Sequence, residues 1–356
     1  MQESSSAGSQ MTEPTGRARL LTACHHQQPD ATPIWFMRQA GRSSSGYSEL
    51  REKYDVVTLT KTPELCAQMT LMPVHSFGVD GAVIYADILL PLEDMGITLE
   101  LRTEGPVIHN PVRTQKDVEA LRIIDAQESA PYVLDAIHLV RQELAGKQAV
   151  IGFSGAPFTL ACYLIEGKPS RDYATAKAFM YGQPELWDRL MDKLSAVVVN
   201  YLLAQIEAGA DVVQLFDSWI GAISPATYRR FVLPSMQKIF AAVKQTGIPA
   251  IHFGTGTASL LDIMAEAGGD IISVDWRVDL DQAWERIGYN RGIQGNLDPT
   301  LLLTSWPTLE AGMHDVLRRA ARRPGHIFNL GHGIPAAANP DMLRRLVDAV
   351  HKETQR

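Results

Sequence analysis

The chain has 356 residues, of which 46% are hydrophobic and 21% charged, an ordinary globular composition with apolar mass for one large core or two smaller ones. A formal net charge of −7 excludes a broad basic face for nucleic acid or an anionic membrane, so any anion must be met by local cations. Three scattered cysteines, Cys24, Cys66 and Cys162, imply free thiols in a reducing compartment, and no Cys-x-x-Cys or His-x-x-x-His spacing offers a metal site.

Residues 1–15 are rich in Ser, Gly, Gln and Thr without an apolar signal core, which predicts a disordered tail on a cytoplasmic protein, followed by one domain over 16–356. The longest apolar stretches, such as 156–165, fall short of a membrane span. A short helix is expected over 17–23. An apolar run of strand length, 34–37, then ends in two arginines, Arg38 and Arg42, with Gly41 between them. Two fixed cations on one rim form a receptor for the carboxylates of a small polyanion, because the planar guanidinium grips them in a fork and keeps its charge.

The polar stretch 43–46 reads as a flexible loop. A helix follows over 63–75, then a buried strand over 81–85 that ends in Ala86-Asp87. Residues 97–101 and 107–108 suggest an inserted hairpin before a helix over 130–144. Further strands are expected at 149–153, 211–216, 250–253, 271–274, 292–294 and 326–330. Two helices fill the gap before 211, the second running over 184–207 and stopped by Gly209. Counted from Ile34 there are eight strands, each followed by helical periodicity, which predicts an α/β fold of the closed (β/α)8 TIM-barrel type, with a doubly wound open sheet as the rival.

The strand ends favour the barrel. They carry Arg38, Asp87, Ser154, Asp217-Ser218, His252, Asp275-Trp276, Asn296-Leu297-Asp298 and His332. A barrel gathers the carboxyl ends of all its strands at one mouth, whereas an open sheet gathers those near its switch point. Two local patterns are discounted. Gly254-Thr-Gly256 lacks the third glycine of a dinucleotide fingerprint, since position 259 is Ser259, although a helix start there could hold an anion. Gly152-Phe-Ser154-Gly155 resembles a nucleophile elbow but lacks the last glycine, which leaves Ser154 to cap a helix or bind a ligand.

Asp87 ends an apolar strand with no cation adjoining it in sequence, so the arginine loop after the first strand is its expected neighbour and a ligand-facing role its expected use. His332 stands between Gly331 and Gly333, which let the backbone approach a ligand closely.

Taken together, Phe36-Met-Arg-Gln-Ala-Gly-Arg42, Tyr85-Ala-Asp-Ile-Leu89, Gly155-Ala-Pro-Phe-Thr159, Tyr163-Leu-Ile-Glu-Gly167, Gln214-Leu-Phe-Asp-Ser-Trp219, Gly295-Asn-Leu-Asp-Pro299 and Asn329-Leu-Gly-His-Gly333 resemble the uroporphyrinogen decarboxylases. The resemblance implies a single (β/α)8 barrel that forms homodimers. It implies removal, without a cofactor, of the four acetate carboxyls of uroporphyrinogen to give coproporphyrinogen in haem and chlorophyll synthesis. A tetrapyrrole is then the partner, with no nucleic acid and no membrane. By the same resemblance Asp87 is the active-site carboxylate that meets the pyrrole N–H groups. Arg38 and Arg42 hold substrate carboxylates, with Arg38 also placed to deliver a proton, and Arg51 falls at a third arginine. Tyr163, Ser218 and His332 orient the substrate, so that the catalytic set reads Asp87, Arg38, Tyr163 and His332.

Two stretches depart from the family pattern. Ser44-Ser45-Gly46-Tyr47-Ser48 replaces Leu-Pro-Glu-aromatic-Arg, and Ile334-Pro-Ala-Ala-Ala-Asn339 replaces an apolar-Leu-Pro-Glu-Thr-Pro run. Two other readings stand beside the decarboxylase. One is a barrel methyltransferase using zinc, against which His252-Phe-Gly254 puts glycine where a thiolate belongs. The other is a porphyrinogen-binding paralogue with lost turnover or altered specificity.

Overall fold

The run Ala149–Gly155 shows no polar alternation, as expected of a strand covered on both faces, and all seven of its residues are buried. The computed structural model describes residues 14–40, 45–102 and 105–356. Among these, β1 (Gly81–Val83), β4 (Ala149–Gly155), β5 (Val212–Asp217), β6 (Ala250–Gly254), β7 (Ile271–Ser273), β8 (Gly292–Gln294) and β9 (His326–Ile327) form one parallel sheet in the order β1-β4-β5-β6-β7-β8-β9. The inserted hairpin is also present, with β2 (Leu99–Arg102) antiparallel to β3 (Gly105–Ile108).

The sheet closes through the segment carrying Ile34. Phe328 N–H donates to Pro33 O (2.8 Å) on one side and Asp80 N–H donates to Ile34 O (2.9 Å) on the other. This closure rules out the open sheet. It also corrects the expected strand over 34–37, because Ile34 makes one parallel bridge, to Phe328, in place of a ladder. Side chains take the remaining backbone partners. Ile34 N–H goes to the Asp80 carboxylate (2.8 Å), Phe36 N–H to Gln39 Oε1 (3.0 Å), and Gln39 Nε2 donates to Gly81 O (2.8 Å). A polar layer fills the interior at this level, where Trp35 Nε1 donates to Gln294 Oε1 (2.9 Å) and Gln294 Nε2 to Gln214 Oε1 and Ser273 Oγ (2.9 Å each).

The amino-terminal end of the barrel is tied by a repeated device. Asp80, Asp211 and Asp270 each stand just before a strand and accept a backbone N–H from a neighbouring one: Ile34 (2.8 Å), Val150 (3.0 Å) and Ala250 (2.9 Å). Asp80 also meets Arg19 (2.6 Å) and His351 (2.7 Å), joining the helices Gly16–Cys24 and Pro340–Thr354 to the barrel floor.

Several boundaries differ from the sequence reading. Thr15, assigned to the tail, is the N-cap of helix Gly16–Cys24, its hydroxyl accepting from Ala18 N–H. The rest of the tail up to residue 13, and Arg42, Ser43 and Ser44, lie outside the described residues. Ser45 and Gly46, expected in a loop, open the helix Ser45–Lys53. Between β4 and β5 lie three helices, Pro157–Glu166, Ala174–Gly182 and Pro184–Glu207, where two were expected; Gly167, at φ +77°, ends the first.

Candidate active site

At the carboxyl ends of the strands lies a cavity of about 390 Å³, lined among others by Arg38, Asp87, Tyr163, Ser218 and His332. Five of the residues singled out from sequence thus share one cavity. Arg51 does not line it: on helix Ser45–Lys53 it donates to Tyr54 O (3.1 Å), with its charge close enough to act on the Tyr85 phenol.

Asp87 is aimed by the helix Pro63–Phe77, which takes over where β1 stops at Val83. Tyr85 N–H donates to Thr70 Oγ1 (2.9 Å) and Tyr85 O accepts from Cys66 Sγ (3.1 Å), fixing the backbone two residues before the carboxylate. Asp87 Oδ1 accepts Leu89 N–H (2.9 Å). Burial raises its pKa above the ordinary carboxylate value, while the Leu89 N–H and the Arg38 charge pull the other way. A cation arriving above Asp87 therefore meets a carboxylate short of solvation, and the interaction is worth more there than in water.

Arg38 occupies the left-handed backbone region at φ +59° and is exposed. For a residue other than glycine this conformation costs on the order of 1 kcal/mol and is typically held by surrounding structure at functional sites. The Arg38 charge acts on three other groups of the cavity. It opposes the burial-driven rise at Asp87, opposes the rise at Tyr163, and adds to the fall at His332. His332 is pushed down to about 4, chiefly by burial, so its imidazole is neutral at physiological pH. Tyr163 is raised by burial and keeps its proton, which makes it a donor.

The cavity also has an aromatic wall. Phe153, Phe216 and Phe253, one from each of β4, β5 and β6, meet edge to face with centroids 5.4 and 5.5 Å apart, and Phe253 meets His332 in the same way at 6.0 Å. These rings were missed in the sequence, although a usable signal was present. Side chains alternate along a strand, so Phe216 and Ser218 face the cavity together and Asp217 between them cannot.

The same parity turns Ser154 and His252 away from the cavity, and local partners engage the other expected mouth residues. Ser154 is fully buried and donates to Gly155 O (3.1 Å), so it neither caps a helix nor lines the cavity. His252 packs against Phe240 of the outer helix Leu233–Lys244 with ring centroids 5.0 Å apart, and burial holds it down to about 4. No helix starts at Gly254–Gly256, since the next one is Leu261–Ala267; the turn there is instead tied by Asp275, which accepts Gly256 N–H (2.7 Å) and pairs with Arg277. Asn296 donates to Asp275 O and Val278 O, and Asp298 caps the short helix Pro299–Leu303. Among the described residues no group of three or more His, Cys, Asp or Glu could hold a metal ion, and no helix is long and apolar enough to cross a membrane.

The family model described as uroporphyrinogen decarboxylase matches residues 15–353. The uroporphyrinogen decarboxylase of Carboxydothermus hydrogenoformans is 50% identical over 334 residues, covering 94% of this chain and 95% of that protein. That of Chloroflexus aurantiacus is 51% identical over 339 residues (94% and 95%), and that of Streptomyces coelicolor 47% identical over 357 residues, with both chains fully covered. Among solved structures, a methyltransferase from Methanosarcina mazei superposes with a TM-score of 0.80 at 21% identity, over 96% of this chain and 99% of that one, a likeness of fold.

Proposed function

Since the chain belongs to the uroporphyrinogen decarboxylase family, we propose that it removes CO2 from the four acetate side chains of uroporphyrinogen III, leaving methyls and giving coproporphyrinogen III for haem and chlorophyll synthesis. The observation that carries this reading is the joint placement of Asp87 and Arg38 in one cavity faced by an aromatic wall. A flexible macrocycle of pyrroles fits the rings, and its acetates fit the arginine.

The proposed chemistry makes the substrate its own electron sink. A proton added to a pyrrole carbon beside the acetate-bearing carbon creates a cation. The bond to the carboxylate breaks, CO2 leaves, and the electron pair flows into the ring as an exocyclic double bond. A proton taken up at that exocyclic carbon makes the methyl, and loss of the ring proton restores the pyrrole. Each acetate consumes one proton overall, and no cofactor is needed for the balance. Asp87 accepts pyrrole N–H groups and stabilises the cation. Arg38, with Arg42, holds the acetates. Arg51, which does not line the cavity, keeps its role as a further carboxylate contact on the family resemblance alone, and Tyr163, Ser218 and neutral His332 orient the ring.

A homodimer in the cytoplasm and a single catalytic domain belong to the same proposal. The single domain is supported by the core that runs without a break from Leu20 to Val350. The reducing compartment is supported by Cys24, Cys66 and Cys162, all buried free thiols. The zinc-methyltransferase reading loses its ligand, because His252 faces Phe240 in the outer layer. Anaerobic incubation of chelator-treated protein with uroporphyrinogen III, followed by chromatography, tests the whole. Coproporphyrinogen III and CO2 are expected, and unchanged substrate overturns the proposal.

A further inference from the structure

We infer that Thr159 and Asp217 are positioning residues that fix the Ser218 hydroxyl and the Tyr163 phenol relative to each other, an inference that rests on the decarboxylase reading. Thr159 and Tyr163 are one turn apart on the helix Pro157–Glu166 and so share a face. That face grips the tripeptide at the end of β5 from both sides. The Thr159 hydroxyl donates to Asp217 Oδ1 (2.8 Å) and accepts Trp219 N–H (3.3 Å). One turn on, the Tyr163 ring lies against the Trp219 ring with centroids 3.9 Å apart, and Tyr173 lies against the same indole at 4.7 Å. Ser218, between the two gripped residues, is left facing the cavity, and its carbonyl accepts from the Thr255 hydroxyl.

The cost of this arrangement shows that it is specified. Thr159 and Asp217 are fully buried, and Asp217 Oδ2 has no hydrogen-bond partner. An unpartnered buried carboxylate oxygen is normally removed unless the group does something. An apolar residue at 217 would fill the space more cheaply but could not hold the Thr159 hydroxyl, and without that hydroxyl nothing fixes Trp219 N–H against the helix. Both cavity groups would then drift, because Ser218 precedes Trp219 and Tyr163 leans on its ring.

The test is a mutant cycle on uroporphyrinogen III turnover, with near-ultraviolet circular dichroism of the free protein as a readout independent of activity. Thr159→Val is expected to lower kcat/KM about tenfold or more, the scale that misplacement of about 1 Å produces. The same change in a Ser218→Ala, Tyr163→Phe background is expected to cost less than about threefold, because the groups it positions are gone. Thr159→Ser, which keeps the hydroxyl, should stay within about threefold of the native enzyme. In the dichroism spectrum Thr159→Val should shift the aromatic bands as Trp219→Phe does, and Thr159→Ser should not. Equal losses in both backgrounds, or native kinetics in Thr159→Val, overturn the inference. If the valine variant does not fold, Thr159→Ala enters the same cycle with the same criteria. A native protein without turnover counts against the decarboxylase reading, whereas an unchanged dichroism spectrum in Thr159→Val counts against the positioning role alone.

Discussion

The side chain of Arg38 lies on the backbone of Gly333, so that a Cβ added at 333 would stand 2.6 Å from Arg38 Cδ and 2.9 Å from Cγ. The glycine after His332 is therefore the bed of the cavity's arginine. Gly333→Ala is expected to leave the fold intact, since a long side chain can swing aside, and to lower kcat/KM about 10- to 100-fold by displacing the guanidinium. Steady-state kinetics alongside a thermal melt check this. Native kcat/KM in the alanine variant would mean that the position of Arg38 does not matter.

Asp87→Asn should fold as the native protein does, since Asn can still accept Leu89 N–H, but it loses the charge facing the developing cation. Turnover is expected to fall by about 10²- to 10³-fold or more, the scale of about 3 to 4 kcal/mol for such a contact. Single-turnover CO2 release measures it. A variant within threefold of native removes Asp87 from the mechanism.

Asp217 carries a pH signature in stability. Burial lifts its carboxyl from 3.8 to about 7, against the hydrogen bonding of Thr159. Between about pH 4 and 7 the folded state holds a proton that the unfolded state releases. Stability from this group is thus greatest below about pH 4, falls as the pH rises to about 7, and is level above it. Tyr228, whose hydroxyl has no partner, and the buried Cys162 are the other titratable groups that feel Asp217, and burial keeps both protonated across this range. Asp217→Asn mimics the neutral acid. Its stability relative to native should therefore improve between pH 4 and pH 8, by about 4 kcal/mol as an upper estimate for three pKa units. Denaturant melts at both pH values decide, and a gap that does not change with pH would show that Asp217 titrates normally.

The rim offers a further experiment. Ser45 is the first residue of the helix Ser45–Lys53, a position that favours proline, and Gly46 lies within its first turn. Among the described residues a Cβ at 46 would meet the flexible end of Met72, at 3.0 Å. Ser44→Leu, Ser45→Pro and Gly46→Glu together should stiffen this entry to the helix that carries Tyr47 to the cavity. The apparent KM for uroporphyrinogen should fall about 5-fold or more, with kcat little changed. The facing loop is bound to this side of the mouth, with Ile334 N–H donating to Met37 O (3.1 Å), so a variant that also restores 336–338 belongs in the same series. If neither variant lowers KM, the rim does not limit binding.

The sequence made the barrel legible because its strands are apolar runs at regular spacing and their ends carry polar groups. It made Arg38, Asp87, Tyr163, Ser218 and His332 legible because they sit in motifs. What it concealed was parity. Asp217 and Ser218, or His252 and Phe253, are equally near a strand end, and only pairing register decides which of each pair faces the cavity. The three strand-clamping aspartates were hidden for another reason: the backbone groups they tie lie 46, 61 and 20 residues away, and the ion-pair partners of Asp80 and Asp211, His351 and Arg17, lie 271 and 194 away. Ile34–Met37 read as a strand because apolar patterning cannot tell that Asp80 and Gln39 will take the backbone hydrogen bonds.

That last substitution gives the ring a seam. Everywhere else neighbouring strands are joined by ladders, but between β9 and β1 the ring is held by a bridge at Ile34 and by side-chain amides and carboxylates. Local opening follows the least-connected backbone. In a hydrogen–deuterium exchange experiment the amides of Phe36 and Met37 should therefore exchange well before those of Ile151, Val213 and Ile251 in the central strands. Since Arg38 follows directly on this segment, breathing of the seam and movement of the substrate-holding arginine would be one motion, and a bound tetrapyrrole would be read as slowed exchange at 36–37.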